Sequence, residues 1–354
     1  MNTSMAGRFV AAVVAIGVIA GCAGGSQVAP TPVAAVSSAA SGNAAGTRTS
    51  ISPSGRFLRN GARARREAPV PNLRIPKGPR DLYVALASNV AVLQNKSWGQ
   101  VGSLAATGMA CPDGDWIDKK GNLYVADWDC GGSGNVPGVY EFERGANQPS
   151  FTYTAGLSDP TNVTTDRHGN VFVMDFFGGY LDEYKQGSNS LLYQCAPPSG
   201  YGLVASAAVD RHGNVFMASM NDASPWTTYL YEYAGGLKGC SATQLATFPF
   251  FPGGMVLDKN QNLIIADQVD DVVDVIAPPY STIASQISAV DPGMVSINKK
   301  NDRLYVGGYV DGDEANGEVY VDAYPSGANI ATLGASNGIT SDVGGAVDTQ
   351  NYIP

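Results

Sequence analysis

The sequence predicts an all-β fold, a six-bladed β-propeller closed by pairing of its N- and C-terminal strands. Three observations predict it. A turn-and-strand pattern recurs five times, further short apolar strands follow its copies, and the two ends of residues 81–354 carry complementary parts of a sixth copy. The 43 Gly and 21 Pro residues also disfavour long helices, because both residue types break them.

The recurring pattern is a polar turn between two short apolar strands. It occupies residues 115–129, 164–176, 208–219, 256–268 and 296–308. The turns begin at positions spaced by 48, 44, 48 and 40 residues, namely Asp118, Asp166, Asp210, Asp258 and Asn298. Asp or Asn at a turn start can accept hydrogen bonds from the backbone that follows. Repeats of about 40–50 residues with four strands each are typical of propeller blades.

The two ends of the folded region supply the sixth blade. Residues 344–348 form a lone first strand, whereas residues 81–85 begin a blade that lacks its first strand. Pairing the two would close the ring and remove exposed sheet edges that invite aggregation. In such a ring the repeated turns lie on one side, here called the lower face. The loops between second and third strands, and those between blades, then lie on the opposite, upper face.

The repeat resembles NHL-type six-bladed propellers of the TolB-like class. The resemblance covers residues 81–354 and includes a Pro six residues before the turn residue in four copies, at Pro112, Pro160, Pro252 and Pro292. It implies the fold but not the function, because such propellers include hydrolases, lyases and binding domains. The only histidines, His168 and His212, occupy equivalent Asp-Arg-His-Gly-Asn turns, which indicates turn residues and counts against the His-dependent virginiamycin-lyase-like propellers.

The N-terminus predicts export and lipid anchoring. Residues 9–20 form an apolar run too short for a permanent membrane span. It ends in Ile19-Ala20-Gly21-Cys22, which resembles a bacterial lipobox with Cys22 as the lipidated residue. We therefore expect a signal peptide at 1–21, a lipidated tether at 22–80 and the propeller at 81–354, placed at the bacterial cell envelope and facing the periplasm or the exterior. An ordinary secretory signal and an uncleaved anchor are the alternatives.

The charge distribution separates the tether from the propeller. Residues 1–80 hold ten Lys or Arg against Glu67 alone, a net +9, and residues 81–354 hold 12 basic and 30 acidic residues, a net −18. The Ala/Ser/Gly/Pro-rich tether buries too little apolar surface to fold. An acidic propeller repels nucleic acid, so nucleic-acid partners are not expected.

Cysteine usage predicts at least one disulfide. Apart from Cys22 there are four cysteines, and an even number in an exported protein favours bridges. Cys111 precedes the first strand of one blade and Cys130 follows its second strand, so both should lie at the upper edge of neighbouring strands and pair. Cys195 and Cys240 are placed by their strands at different heights, and their pairing stays open.

The upper face is the predicted binding surface. Long loops at 128–138, 219–228 and 308–317 lie on it, and loops on a rigid frame commonly carry recognition. Trp128, Trp226, Asn221 and Asp222 are the candidate ligand-binding residues. Asp127, Asp175 and Asp267, which end second strands, are expected to cap loop amides. These features favour a monomeric binding or scaffold module for a peptide, a glycan or an envelope protein, with no cofactor assigned.

A metal-dependent lactonase is the alternative. Pro112-Asp113-Gly114 resembles the motif with which gluconolactonase-like (SMP-30-like) propellers place a metal-binding, proton-transferring Asp. The resemblance implies Asp113 as the catalytic residue and Asp113 with Asn162 as ligands of calcium or zinc. No early Glu matches the remaining ligand of that family, and the two motifs occur in reversed blade order. The acidic loop Asp311–Glu318 is a second candidate calcium site, although it lacks the EF-hand order of ligands.

Overall fold

The structure is a computed structural model that describes residues 81–94, 97–128, 130, 135–198, 200, 202–221, 225–310 and 313–348. The predicted signal peptide at 1–21, the tether at 22–80 and Cys22 lie outside the described residues. Within the described part, no helix is long and apolar enough to cross a membrane.

The described strands form six four-stranded antiparallel sheets, numbered as blades in chain order from the first complete one. The first blade contains β4 (Pro112–Ile117), β5 (Leu123–Asp127), β6 (Gly138–Phe142) and β7 (Phe151–Tyr153). The second contains β8 (Pro160–Thr165), β9 (Val171–Asp175), β10 (Tyr180–Tyr184) and β11 (Leu191–Cys195). The third contains β12 (Leu203–Val209), β13 (Val215–Met220), β14 (Thr228–Tyr233) and β15 (Thr243–Phe248).

The remaining blades follow the same order. The fourth contains β16 (Pro252–Leu257), β17 (Leu263–Asp267), β18 (Val272–Ile276) and β19 (Ile283–Ser288). The fifth contains β20 (Pro292–Ile297), β21 (Arg303–Val310), β22 (Asp313–Ala323) and β23 (Ala328–Leu333). The sixth contains β24 (Val343–Asp348), β1 (Asp81–Leu86), β2 (Val90–Gln94) and β3 (Gln100–Leu104). Two short 3₁₀ helices, Lys238–Cys240 and Ala335–Asn337, lie between strands.

The innermost strand of each blade contacts those of both neighbouring blades. The ring runs β4, β8, β12, β16, β20 and β24 and returns to β4. In the split blade, Tyr83 pairs with Val347 and Leu82 with Asp348, so β24 closes the ring against β1. The predicted six-bladed propeller, including its closure by both ends of the folded region, is confirmed. Buried apolar side chains fill the space between blades, as expected for sheets covered on both faces.

Four of the five repeated turns owe their shape to one carboxylate each, and in the fifth the Asn298 side-chain oxygen accepts the backbone N–H groups. Asp118 Oδ1 accepts hydrogen bonds from the backbone N–H groups of Lys120 (2.8 Å) and Asn122 (2.9 Å). Asp166, Asp210 and Asp258 accept the corresponding pairs. These bonds satisfy backbone donors that the tight turn would otherwise leave unpaired. The lower face is therefore a set of equivalent structural turns.

The innermost strands are irregular near their upper ends. In the first blade the register shifts between Pro112 and Asp115, so Asp113 and Gly114 form a bulge. Comparable shifts occur in the third, fourth, fifth and sixth blades. Small residues allow these strands to approach closely, since a Cβ on Gly344 would lie 2.5 Å from the Asp113 Cα. Bulges of this kind redirect side chains and are frequent next to functional sites.

Two sequence expectations about this architecture are wrong. The loop expected at 308–317 is largely strand, because β21 and β22 extend past the blade and pair Tyr309 with Gly317 and Val310 with Asp313. The height argument that set Cys195 apart from Cys240 also fails, because the two form a disulfide with Cα atoms 5.3 Å apart. The two cysteines meet because the 3₁₀ helix Lys238–Cys240 of the third blade packs against β11 of the second.

Candidate functional site

The upper end of the central channel opens into a cavity that encloses about 450 Å³, including the solvent at its mouth. We call this cavity the funnel. Its lining residues come from five of the blades and are Asp113, Trp128, Thr161, Phe176, Ala205, Phe251, Pro252, Gly253, Gln268 and Met294. The cavity combines a concave shape, an aromatic lining and few polar groups, which are features of ligand sites.

Equivalent positions of the repeats form the bottom of the funnel. Asp113, Thr161 and Gly253 are the second residues of β4, β8 and β16. Only the first blade has a carboxylate at this position, and Asp113 is the only ionisable residue among the described residues that line the funnel. Equivalent positions of the innermost strands thus form the bottom of the cavity, and Asp113 makes that bottom acidic.

Two carboxyl groups of β4 are buried at this base. Asp113 is 5% exposed and Asp115 is 8% exposed. Asp113 Oδ1 and Asp115 Oδ2 are both buried and accept no hydrogen bond within the described part of the chain. Asp115 lines a second cavity of about 310 Å³, and Met294 lines both cavities, so the two carboxyls lie in succession along the channel.

Burial strongly perturbs both groups. Burial, reinforced by the neighbouring carboxylates of Asp159 and Asp127, raises the pKa of Asp113 to about 8. Burial and then the charge of Asp113 raise the pKa of Asp115 well above its ordinary value. A buried carboxylate without a cation is costly, so both groups hold their protons more tightly than exposed carboxyls do. Strongly perturbed carboxyls in a cavity are a recognised sign of a functional site.

Aromatic side chains form the wall of the funnel. Trp128 (8% exposed), Phe176 and Phe251 line it directly. Trp226 packs edge-to-face on Phe251, with ring centroids 5.5 Å apart and planes at 85°. The structure therefore places both predicted tryptophans at the funnel, Trp128 in its wall and Trp226 behind Phe251.

Backbone capping and a disulfide hold the lip of the funnel. Asp127, at the end of β5, accepts hydrogen bonds from the backbone N–H groups of Ala110 (3.0 Å) and Cys111 (2.6 Å). The predicted Cys111–Cys130 disulfide is present, with Cα atoms 6.1 Å apart, and it encloses Trp128 in its loop. The expected capping by these strand-ending carboxylates is confirmed, because Asp175 and Asp267 also accept loop N–H groups. The chain is therefore held just before Trp128 by the Asp127 hydrogen bonds and just after it by the disulfide at Cys130.

Of the two polar candidate residues in the loop at 219–228, the structure describes Asn221 but not Asp222. Asn221 accepts a hydrogen bond from the backbone N–H of Thr227 (2.7 Å) and donates one to the Pro225 carbonyl (3.0 Å). The Asn221 amide therefore forms hydrogen bonds within its own loop. Asp222 lies outside the described residues, and a direct role of either residue in ligand binding stays a prediction.

The residues implied by the lactonase resemblance do not fit a calcium or zinc site. Asp113 and Asn162 lie on adjacent innermost strands, but Asn162 Oδ1 accepts the Val163 N–H (2.8 Å) and its Nδ2 faces Met294 Sδ at 3.4 Å. A thioether is a poor ligand for a hard cation. Among the described residues, no group of three His, Cys, Asp or Glu side chains is placed to hold a metal. Residues 311 and 312 of the acidic loop lie outside the described part.

Sequence reasoning did not identify Phe176, Gln268, Phe251 and Met294 as funnel residues. A signal existed for the first two. Each directly follows the Asp that ends a second strand, as Trp128 does, so aligning the repeats one residue further would have found them. Phe251 and Met294 carry no such signal, because their positions depend on how the innermost strands pack around the ring.

The upper face around the funnel exposes apolar side chains. Phe177 is 49% exposed in the turn between β9 and β10, next to Phe176 with ring centroids 4.9 Å apart. Val136, Val269 and Val290 lie in other upper loops and are 40–48% exposed. Leu192 and Ile330 are exposed to a similar degree on outer strands, so the apolar exposure of the upper face lies in its loops.

Comparisons with known proteins show the fold. A chain from the crystal structure of a nidogen/laminin complex matches with a TM-score of 0.60 and 14% identity, over 76% of this chain and 98% of that chain. A protein of unknown function from Bacteroides caccae matches with a TM-score of 0.56 and 13% identity, over 77% of this chain and 99% of the other. No protein-family model matches the sequence. A search of curated proteins likewise finds no significant match.

Proposed function

We propose that this protein is a lipid-anchored, extracytoplasmic propeller of the NHL-type, TolB-like class that binds a partner through the funnel and the loops around it. The observation that carries the proposal is the coincidence, on one face, of an aromatic-walled cavity and exposed apolar loop residues, Phe177 foremost. Central aromatic anchors in desolvated pockets usually dominate binding energy. The nidogen/laminin chain provides a precedent for a similar fold found within a protein complex.

Export and anchoring rest on the apolar run at 9–20, on Cys22 and on the two disulfides, since disulfides persist in oxidising compartments. The test is metabolic labelling with a fatty acid in bacteria that produce the full chain. We expect label on the wild-type protein and none on Cys22→Ser, with Cys111→Ser as a control that keeps it. Label on Cys22→Ser would contradict the assignment.

Partner binding is tested with immobilised peptide and glycan arrays probed with the full chain. We expect Phe177→Ala to weaken each specific signal at least about tenfold, which corresponds to ~1.4 kcal/mol. Leu192→Ala is the matched control, because Leu192 is 44% exposed but lies on the outer strand β11. Signals that fall equally with both variants, or only with Leu192→Ala, would place recognition on the outer edge and overturn the proposal.

A further inference from the structure

The two faces of the propeller differ in charge. Every Lys and Arg of the described part lies in a lower-face turn or at the first residue of β21, namely Lys119, Lys120, Arg144, Arg167, Lys185, Arg211, Lys238, Lys259, Lys299, Lys300 and Arg303. The charged residues of the described upper loops and upper strand ends are all acidic, and they include Asp113, Asp127, Asp159, Asp175, Asp267, Asp270, Asp271, Asp291, Glu318 and Asp342. A concave surface lined by charges of one sign raises the local concentration of ligands of the other sign.

The base of the funnel likewise has acidic groups with no described Lys or Arg beside them. Asp113 and Asp115 each have a buried carboxylate oxygen with no hydrogen-bond partner in the described part. The described lysines and arginines all lie at the other end of the blades, so none of them neutralises the pair. Buried carboxylates are ordinarily paired with a cation or hydrogen-bonded. An entering cation would supply the missing partner, and the proton that burial retains on the Asp113 carboxyl would leave to solvent on binding.

The wall of the funnel suits an organic cation. Trp128, Phe176 and Phe251 present aromatic surface above the carboxyls, and Gln268 adds one amide. Aromatic faces attract cations, and a guanidinium group also stacks on them while its planar donors reach carboxylate oxygens. A bare metal ion would gain little from such a wall, whereas a guanidinium group offers it both a planar face and charged donors.

We propose that the funnel binds the guanidinium side chain of an arginine presented by the partner, with the aromatic wall around it and the Asp113 carboxyl at its end. This proposal rests on the proposed function, because it names the chemistry recognised at the same face. The arginine enters from the upper side, and the anionic upper loops attract the positive segment that carries it.

The test is a titration of the full chain with three short peptides, acetyl-Gly-X-Gly-amide with X as arginine, lysine or citrulline. Citrulline has nearly the shape of arginine without its charge. Binding is measured by calorimetry and by fluorescence of the tryptophans, of which Trp128 lines the funnel. We expect arginine to bind at least about tenfold more tightly than citrulline, equal to ~1.4 kcal/mol, and more tightly than lysine.

Two substitutions test whether the Asp113 carboxyl accounts for the preference for arginine. Asp113→Asn should reduce the affinity for the arginine peptide at least about tenfold, and it should leave the weak citrulline binding unchanged. Glu143→Gln removes an exposed carboxylate from the lower-face loop between β6 and β7 and should change neither affinity. Thermal unfolding of Asp113→Asn checks that the variant is folded.

The outcomes separate this proposal from the proposed function. Equal affinities for arginine and citrulline, or arginine binding that survives Asp113→Asn, would overturn the arginine assignment. Absence of any binding at millimolar peptide would also overturn it. In each case, array signals that depend on Phe177 would still support partner binding by the upper face, and their loss would overturn that function separately.

Discussion

The Tyr305 hydroxyl donates a 2.8 Å hydrogen bond to Asp348, the last residue of the closing strand β24. Tyr305 is fully buried in the fifth blade and Asp348 is buried in the sixth, so the bond joins adjacent blades at the point where the ring closes. Hydrogen bonds to charged groups contribute about 1.5–3 kcal/mol. We expect Tyr305→Phe to lower the free energy of unfolding by about that amount, measured by urea denaturation.

Tyr231→Phe is the matched control. Tyr231 is 1% exposed in the third blade, and its hydroxyl has no hydrogen-bond partner within the described residues. Removing an unpaired buried hydroxyl should be neutral or slightly stabilising. Equal destabilisation by the two substitutions would show that the Tyr305–Asp348 bond adds nothing to ring closure.

Close approach of the innermost strands predicts that Gly345 cannot be enlarged. A Cβ at Gly345 would lie 2.5 Å from Asp115 Oδ1 and 2.9 Å from the Asp115 backbone nitrogen. Because a backbone atom cannot move aside, Gly345→Ala should destabilise the protein by about 1–3 kcal/mol, read from thermal or urea unfolding. Gly202→Ala has open space around it and should leave stability unchanged or raise it. A neutral Gly345→Ala would mean that β24 does not pack against β4 as described.

The buried Asp113 carboxyl should make the free energy of unfolding decrease as the pH rises. Its pKa of about 8 lies above the ordinary value of 3.8, so the folded state holds the proton more tightly than the unfolded state. Its stabilising contribution is complete below pH 3.8 and is lost as the pH rises through 8. We therefore expect the free energy of unfolding of Asp113→Asn, relative to wild type, to rise with pH by up to ~1.4 kcal/mol per unit in this window.

Thr161→Val controls for packing in this experiment, because Thr161 occupies the equivalent position of β8 and carries no charge. Its difference from wild type should be the same from pH 4.5 to 8.5, since no ionisation is removed. An Asp113→Asn difference that is equally flat with pH would contradict the perturbed carboxyl.

The two disulfides should differ in their contribution to stability. They join residues 19 and 45 positions apart. Since a longer loop loses more entropy in the unfolded chain when it is closed, removing Cys195–Cys240 should cost about 0.8 kcal/mol more than removing Cys111–Cys130. Paired Cys→Ser variants, compared by urea unfolding at neutral pH, measure the difference. Removing Cys111–Cys130 should in addition weaken array binding, because the bridge holds Trp128, and unchanged binding would argue against that role.

Much of the fold was predictable because it depends on local patterns that repeat. The turn carboxylate of Asp118 and its equivalents, and the strand-ending Asp127, form hydrogen bonds within a few residues or across one hairpin. Pairing of Tyr83 with Val347 was predictable because each end of the folded region lacks the strand that the other supplies. The pairing of Cys195 with Cys240 was not, since it depends on how the 3₁₀ helix of the third blade packs against β11 of the second.

The candidate site was predictable only in part. Trp128 and Asp113 stand out in the sequence as an aromatic residue in an upper loop and a carboxylate in a Pro-Asp-Gly turn. Their neighbours Phe251 and Met294 come from the fourth and fifth blades, and no sequence feature relates them to the first. The metal interpretation of Asn162 also depended on where its amide oxygen points, which the structure directs to the backbone of Val163.

The ring and its six blades follow from the sequence alone, because strand order and turn chemistry repeat along the chain. The tertiary structure, by contrast, buries Asp113 and Asp115 so that one carboxylate oxygen of each accepts no hydrogen bond in the described part. That arrangement arises where six innermost strands converge, and convergence of segments far apart in the chain is set by packing around the channel, which no single repeat encodes.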